Sequence, residues 1–183
     1  MTATRKPVIV RKVTRDWLAG YAAADPSAPA NPAGEASLEF LDTRGRLLRI
    51  DWDQIKWLCY VRELASEGDA SQQPERLLRR NFTSRPRLAG LWLRLVLEDG
   101  DELEGIAAND RSLIEGPGLL LTPPDTRSNT QRIFIPRTAI REFTILGLIA
   151  PKSHPESRKS EPTPTQSDLF TAESTTETNH ELR

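Results

Sequence analysis

Short stretches of alternating apolar residues, each followed by turn-forming residues, run through the first 150 positions of this 183-residue chain. Such alternation is typical of β-strands with one buried face, and Glu98-Asp99-Gly100-Asp101 is a strong hairpin signal. The fold class predicted from this pattern is mainly β. Strands are expected at 8–11, 17–21, 37–41, 92–97, 102–107, 118–122, 132–136 and 139–146, with two more inside 47–64 that join near Trp52–Gln54.

The two halves of this pattern align at a single offset of 85 residues, which favours an internal duplication over chance alignment of β-rich segments. Two units of about 55 residues with five short strands each predict small, strongly bent barrels. The glycine that recurs at 20 and 105 fits a second strand on which a side chain would obstruct closure. Pairs at the shared offset are Val10 and Leu95, Leu18 and Leu103, Gly20 and Gly105, Ile50 and Ile135, Ile55 and Ile140, Leu58 and Phe143, and Tyr60 and Ile145.

Composition predicts four segments along the chain. Residues 5–64 and 91–149 are the two barrel units, and residues 65–90 form an arginine-rich connector. Residues 150–183 are expected to be a disordered tail, because 15 of the last 33 residues are Ser, Thr or Pro and few are apolar. No apolar run approaches the roughly 20 residues of a membrane span, and no secretory signal is visible.

The chain offers few groups for catalysis. Its only histidines, His154 and His180, lie in the predicted tail, so the folded part has none for acid–base chemistry or for the usual zinc and iron sites. Its single cysteine, Cys59, lies in an apolar run where a thiol is inert, and one cysteine suits a reducing cytoplasm. We therefore expect a cytoplasmic protein that is not an enzyme and that needs no cofactor or metal.

The connector is the first candidate binding site. No acidic residue lies between Glu75 and Glu98, although the whole chain is balanced, with 25 basic and 26 acidic side chains. Arginine suits bidentate phosphate contacts and stacking on bases, and Phe82 and Trp92 add aromatic faces. The alternative is a solvated surface whose arginines pair with the acidic turn at Glu98–Glu104. The arginines concerned are Arg76, Arg79, Arg80, Arg85, Arg87 and Arg94.

The loop at 123–132 is the second candidate. Pro-Pro-Asp is turn chemistry, and side chains here can hydrogen-bond local backbone, which favours a self-supporting loop. A site for a ligand or partner is the alternative, and its candidate residues are Asp125, Arg127, Asn129 and Arg132. The four tryptophans, at 17, 52, 57 and 92, are expected to serve packing rather than binding.

Four resemblances add to these expectations. The strand order in each half, with a hairpin on a charged-Gly turn and a one-turn corner at Arg137–Ile140, resembles the Sm-like and SH3-like small barrels. More closely, residues 5–148 resemble a widespread bacterial family of uncharacterised proteins, a domain of unknown function. That resemblance rests on Gly20-Tyr21, on 56–64 and on 121–137, and it implies the duplicated barrel without an activity.

A further resemblance is to PilZ domains, which bind cyclic di-GMP. Arg76 and Arg80 fit their Arg-x-x-x-Arg pattern together with Arg79, and Asp110 and Ser112 fit the later Asp-x-Ser turn, with the glycine one position late at Gly116. The resemblance implies arginines that grip a phosphate and guanine edges, closed from the other side by the turn.

The tail contains a pentapeptide that resembles the motif by which bacterial replication and repair proteins bind the sliding clamp. It runs Gln166-Ser167-Asp168-Leu169-Phe170, in which Leu169 and Phe170 would fill an apolar pocket beside polar contacts from Gln166. The sequence therefore predicts a non-catalytic binding module that presents a barrel surface and the arginine-rich connector to a protein or nucleic-acid partner. Cyclic di-GMP sensing and clamp docking remain open as alternatives.

Overall fold

A computed structural model describes residues 4–24, 26, 37–64, 81–125 and 128–150. Ten strands and three one-turn 3-10 segments make up this part of the chain, and it contains no α-helix. The mainly β prediction is therefore confirmed. The strands are β1 Arg5–Lys12, β2 Trp17–Ala23, β3 Ser37–Asp42, β4 Leu47–Asp51, β5 Ile55–Val61, β6 Gly90–Leu97, β7 Glu102–Ala107, β8 Gly118–Thr122, β9 Thr130–Pro136 and β10 Ile140–Ile149.

The turns between strands lie at the positions predicted from the sequence. Between β6 and β7 the amide of Leu97 donates to the carbonyl of Asp101 at 2.8 Å, and Gly100 takes a φ of 86°. Glycine adopts this left-handed backbone without the steric cost that other residues meet, which is why the Asp-Gly pair closes the hairpin. The 3-10 turn at Trp52–Gln54 joins β4 to β5, as expected for the 47–64 segment.

All ten strands belong to one antiparallel sheet. Its order is β10-β6-β7-β8-β9-β5-β1-β2-β3-β4. The five strands of each half therefore occur in the same order, with the last strand of the half beside the first. The halves meet where β5 pairs with β9, with Leu58 opposite Phe134 and Cys59 opposite Ile133. We call this β5–β9 contact the seam.

The bounds of several elements differ by 85 positions between the halves. This holds for both ends of β1 and β6, for the first residues of β5 and β10, and for the 3-10 turns at Trp52–Gln54 and Arg137–Ala139. β3 and β8, the third strands of the two halves, do not keep the 85-residue spacing, because the segments that precede them differ in length.

Two apolar clusters form the core, and each takes side chains from both halves. The cluster around β6 to β9 includes Ile9, Trp57 and Cys59 from the first half. The cluster around β1 to β5 includes Phe134, against which Trp52 packs at a ring-centroid distance of 5.1 Å. Residues Met1–Lys152 accordingly form one compact unit.

The tryptophans do not all serve packing. Trp52 and Trp57 are buried, as predicted, and Trp92 is partly buried. The prediction is wrong for Trp17, which is the first residue of β2 and is 52% exposed. In the described ranges, no helix has the length and apolar character that a bilayer span needs.

Candidate functional site

A cleft of about 590 Å³ lies where the end of the connector meets the 123–132 loop. It is lined by Asn81–Arg87 on one side and by Pro124 and Asp125 on the other. The structure thus brings together Arg85, Arg87 and Asp125, which the sequence placed in two separate candidate sites. We call this the connector cleft.

One buried carboxylate holds the connector in place. Glu104, on β7, is 2% exposed and accepts hydrogen bonds from the Phe82 amide at 3.0 Å and from Trp92 Nε1 at 3.3 Å. Arg94 adds an ion pair through the other carboxylate oxygen: its Nη2 and Nε lie 2.8 Å and 3.2 Å from Glu104 Oε1. Burial acts to raise the pKa of Glu104, but the hydrogen bonds from Arg94, Phe82 and Trp92 outweigh it, so the pKa lies below its usual value.

An aromatic contact reinforces this anchor. The Phe82 ring meets the Trp92 ring edge-on, with centroids 5.8 Å apart and planes at 77°. Pro86 is buried between the exposed Arg85 and Arg87. The two aromatic residues that the sequence suggested as stacking faces for bases are therefore packed against each other and fix the position of the cleft wall.

The two cleft arginines differ in how they are held. Arg85 donates from Nη2 to the carbonyl of Leu148 at 3.2 Å, which orients its guanidinium while the side chain stays exposed. Arg87 is exposed and makes no hydrogen bond or ion pair with the described part of the chain. Arg94, by contrast, pairs with Glu104 in the way the solvated-surface alternative anticipated.

The loop residues divide between the cleft and the fold. Asn129 bridges to the backbone just after β5. Its side-chain oxygen accepts from the backbone amides of Arg62 and Glu63 at 3.1 and 3.2 Å, and its side-chain nitrogen donates to the backbone carbonyl of Glu63 at 2.8 Å. Ser128 Oγ donates to the Asp125 carbonyl at 2.9 Å, which closes a local turn. Arg132 lies on β9 opposite Tyr60. Arg127 lies outside the described residues.

Asp110 and Ser112 form a local turn with each other. The Asp110 carboxylate accepts from the Ser112 amide at 2.9 Å and from its hydroxyl at 2.6 Å, and these bonds lower the pKa of Asp110. Arg111 pairs with Glu115 at 2.7 Å beside them. Two sets of predicted residues lie outside the described part of the chain: Arg76, Arg79 and Arg80, and the tail motif of Gln166, Asp168, Leu169 and Phe170. Cyclic di-GMP binding and clamp docking therefore stay predictions.

Residues 4–147 match the model of a family of unknown function, DUF6982. The chain belongs to this family. The match includes the whole connector cleft and ends before the clamp-like pentapeptide. It confirms the assignment made from the sequence to a domain of unknown function. No curated protein and no solved structure matches the chain.

Sequence reasoning missed two features of this DUF6982 domain. Glu104 lies in the strand sequence ELEGIA. Apart from a carboxylate next to apolar residues, nothing in that sequence indicates that Glu104 is buried. Lys56 forms ion pairs across the seam with Asp99 and Asp101, in the turn of the second half. The only sequence signal for its partial burial is that Lys56 stands next to the continuous apolar run of β5. Within the described ranges, no three His, Cys, Asp or Glu side chains are grouped as a metal site requires.

Proposed function

We propose that this protein is a non-catalytic, cytoplasmic binding module whose connector cleft holds a single-stranded nucleic acid. The observation that carries the proposal is the pair of exposed arginines, Arg85 and Arg87, on a wall that Glu104 anchors through the Phe82 amide. The anchored backbone lowers the entropic cost of binding, because the ligand need not order the segment that carries the arginines, and Arg85 is also held by the Leu148 carbonyl.

The fold part of the proposal is that each half is an Sm-like or SH3-like small barrel. Its support is the strand order, which places the last strand of each half beside the first, and the 3-10 turn before that last strand in both halves. Gly20 and Gly105 add to it. A Cβ at Gly20 would lie 2.3 Å from the Leu41 carbonyl oxygen, and one at Gly105 would lie 2.9 Å from Leu121 Cβ. Such close approach is what a sharply bent second strand requires.

The side chains favour holding over catalysis. Burial raises the pKa of the Cys59 thiol to about 12, so it is not a nucleophile in the folded protein. Glu104 is occupied by three donors, and no histidine precedes His154 in the sequence. We infer that the described unit works by binding.

The charges of the cleft favour an anionic partner. Arg94 neutralises Glu104, and the lining itself has two arginines, Arg85 and Arg87, against one carboxylate, Asp125, so its net charge is positive. Polar side chains of Asn81, Thr83 and Ser84 line the same cleft and can donate hydrogen bonds to phosphate oxygens or to base edges. A flexible single strand can follow such a cleft with its phosphates on the arginines.

The test is fluorescence anisotropy with labelled single-stranded RNA and DNA at several salt concentrations. We expect binding that weakens as salt rises, and the slope should fall by about two when R85Q and R87Q are combined, since two phosphate contacts are lost. The matched control combines R15Q with R44Q, two exposed turn arginines outside the cleft lining, and should bind as the parent does.

Two results contradict the proposal: no binding of either nucleic acid, or binding that the Arg85 and Arg87 changes leave intact. The other predictions have their own tests. Cyclic di-GMP sensing predicts a calorimetric signal that Arg80→Ala removes. Clamp docking predicts that a peptide of residues 163–173 binds the sliding clamp and that changing both Leu169 and Phe170 to Ala abolishes the interaction.

A further inference from the structure

The two outer strands of the sheet carry exposed apolar side chains. β4 and β10 lie at the ends of the strand order, so each has one edge without a strand partner among the described residues. Leu47 on β4 is 54% exposed, and on β10 Phe143 and Ile145 are 49% and 56% exposed. Open strand edges with apolar side chains are templates for pairing with another chain.

The seam inside the molecule shows what such edges bind. Counting 85 positions, β10 corresponds to β5 and β4 corresponds to β9, and β5 and β9 are the strands that pair at the seam. Leu58 and Tyr60 on β5, which lies next to β9, are 0% and 4% exposed and belong to the core cluster that includes Phe134 of β9. Their counterparts on β10 are Phe143 and Ile145. These two have no strand beside them on the outer side among the described residues, and they are exposed.

The seam register predicts which residues would meet. Leu58 faces Phe134 and Tyr60 faces Arg132 at the seam. The same register between copies sets Ile145 opposite Leu47, two exposed apolar side chains, and Phe143 opposite Arg49. Opposed apolar side chains on neighbouring strands stabilise the pairing, besides the ladder of backbone hydrogen bonds.

Charge complementarity at the edges repeats that of the seam. At the seam, Lys56 forms an ion pair with Asp101 in the hairpin turn that follows the first strand of the second half. Counting 85 positions, Lys56 corresponds to Arg141 and Asp101 corresponds to Asp16. Both counterparts are exposed, and each has the same charge as the residue it corresponds to. Asp16 lies in the corresponding turn of the first half, between β1 and β2. An interface that repeats the seam would therefore bring a cation to an anion.

We propose that β10 of one copy pairs with β4 of a second copy in the register of the seam, with Arg141 of the first copy on Asp16 of the second. Because the two edges are different surfaces, the contact is heterologous, and each added copy leaves one edge of each kind open until a ring closes. The inference uses the strand correspondence and does not depend on what the connector cleft binds.

The first experiment is sedimentation velocity on the full chain at low and high micromolar concentration. We expect species larger than the 20.5 kDa monomer, and L47K or I145K should return the chain to the monomer. The matched control is I114K, since Ile114 is 79% exposed but lies outside both edge strands. A parent chain that stays monomeric at every concentration, or assembly that L47K and I145K leave unchanged, contradicts the proposal.

Charge reversal and cross-linking test the register itself. R141E and D16R should each weaken association several-fold, and the double variant should restore it, because the pair is re-formed with opposite signs. In a second test, L47C combined with I145C should give disulfide-linked multimers under oxidation, whereas L47C with T144C should not, since positions 144 and 145 point to opposite faces. Cross-linking that is equal in the two pairs, or no restoration in the double reversal, overturns the register.

Discussion

At the scale of single residues, Glu104 decides how the connector is held. Its carboxylate is 2% exposed and serves three donors, from Phe82, Trp92 and Arg94. We predict that E104Q destabilises the fold by about 1–3 kcal/mol near neutral pH, since a neutral amide weakens charge-assisted bonds and turns one acceptor into a donor. Urea denaturation measures this, and E102Q, on an exposed carboxylate of the same strand, should change stability little.

The same residue predicts a pH dependence with a defined sign. The folded state lowers the pKa of Glu104 from its usual 4.5, so the ionised form stabilises the fold at any pH above that value. As the pH falls through the lowered pKa, this contribution is lost. The stability gap between the parent and E104Q should therefore be full at neutral pH and shrink below about pH 4.5. A gap that stays constant into acid would contradict the ion pair.

The thiol of Cys59 gives a third prediction at this scale. It is the single cysteine, it is buried, and its pKa of about 12 keeps it protonated. We predict no reaction with a thiol reagent such as DTNB at mildly alkaline pH in the native protein, and full reaction of one thiol in urea. Rapid labelling without denaturant would show that the seam, where Cys59 faces Ile133, opens readily.

At the scale of elements, the bend of the second strand depends on glycine. A Cβ at Gly20 would lie 2.3 Å from a backbone oxygen, whereas at Gly105 the nearest atom is the side chain of Leu121 at 2.9 Å. We predict that G20A costs about 2–3 kcal/mol and G105A less, because a side chain can shift more easily than backbone. Chemical denaturation of both variants shows which one loses more stability.

Gly147 supplies the control for this comparison. It lies on β10 with nothing within 4 Å of an added Cβ and without a positive φ, so G147A should be neutral or slightly stabilising. If G20A proves as mild as G147A, the close approach of β2 to β3 is not what requires glycine at position 20.

The strands and turns could be predicted from the sequence, because apolar alternation and turn-forming residues depend only on neighbouring positions in the chain. The strand at 92–97, its Asp-Gly turn and the 3-10 corner at Trp52–Gln54 all follow from a few neighbouring residues. The partners of the seam were not accessible, since the apolar run of β5 indicates a strand buried on both faces but not the identity of the strand beside it. The connector cleft was missed for the same reason: Arg85 and Asp125 are 40 positions apart, and a local pattern cannot place them together.

At the scale of the whole molecule, the question is whether the halves are independent units. The sequence suggested two barrels with their own interiors, but each core cluster takes side chains from both halves. Phe134 packs on Trp52 of the first half, and Ile9, Trp57 and Cys59 complete the cluster of the second. Separating the halves would expose these apolar surfaces and the two seam edges together.

We therefore predict that fragments 1–80 and 81–152 are poorly folded alone and regain structure when mixed. Each would lose the β5–β9 ladder and the ion pairs of Lys56 with Asp99 and Asp101, while its remaining core is smaller than most domains need. Nitrogen-15 heteronuclear NMR spectra of each labelled fragment, before and after addition of the unlabelled partner, measure this. Two well-dispersed spectra that do not change on mixing would mean that each half folds by itself and that the seam adds association without being needed for folding.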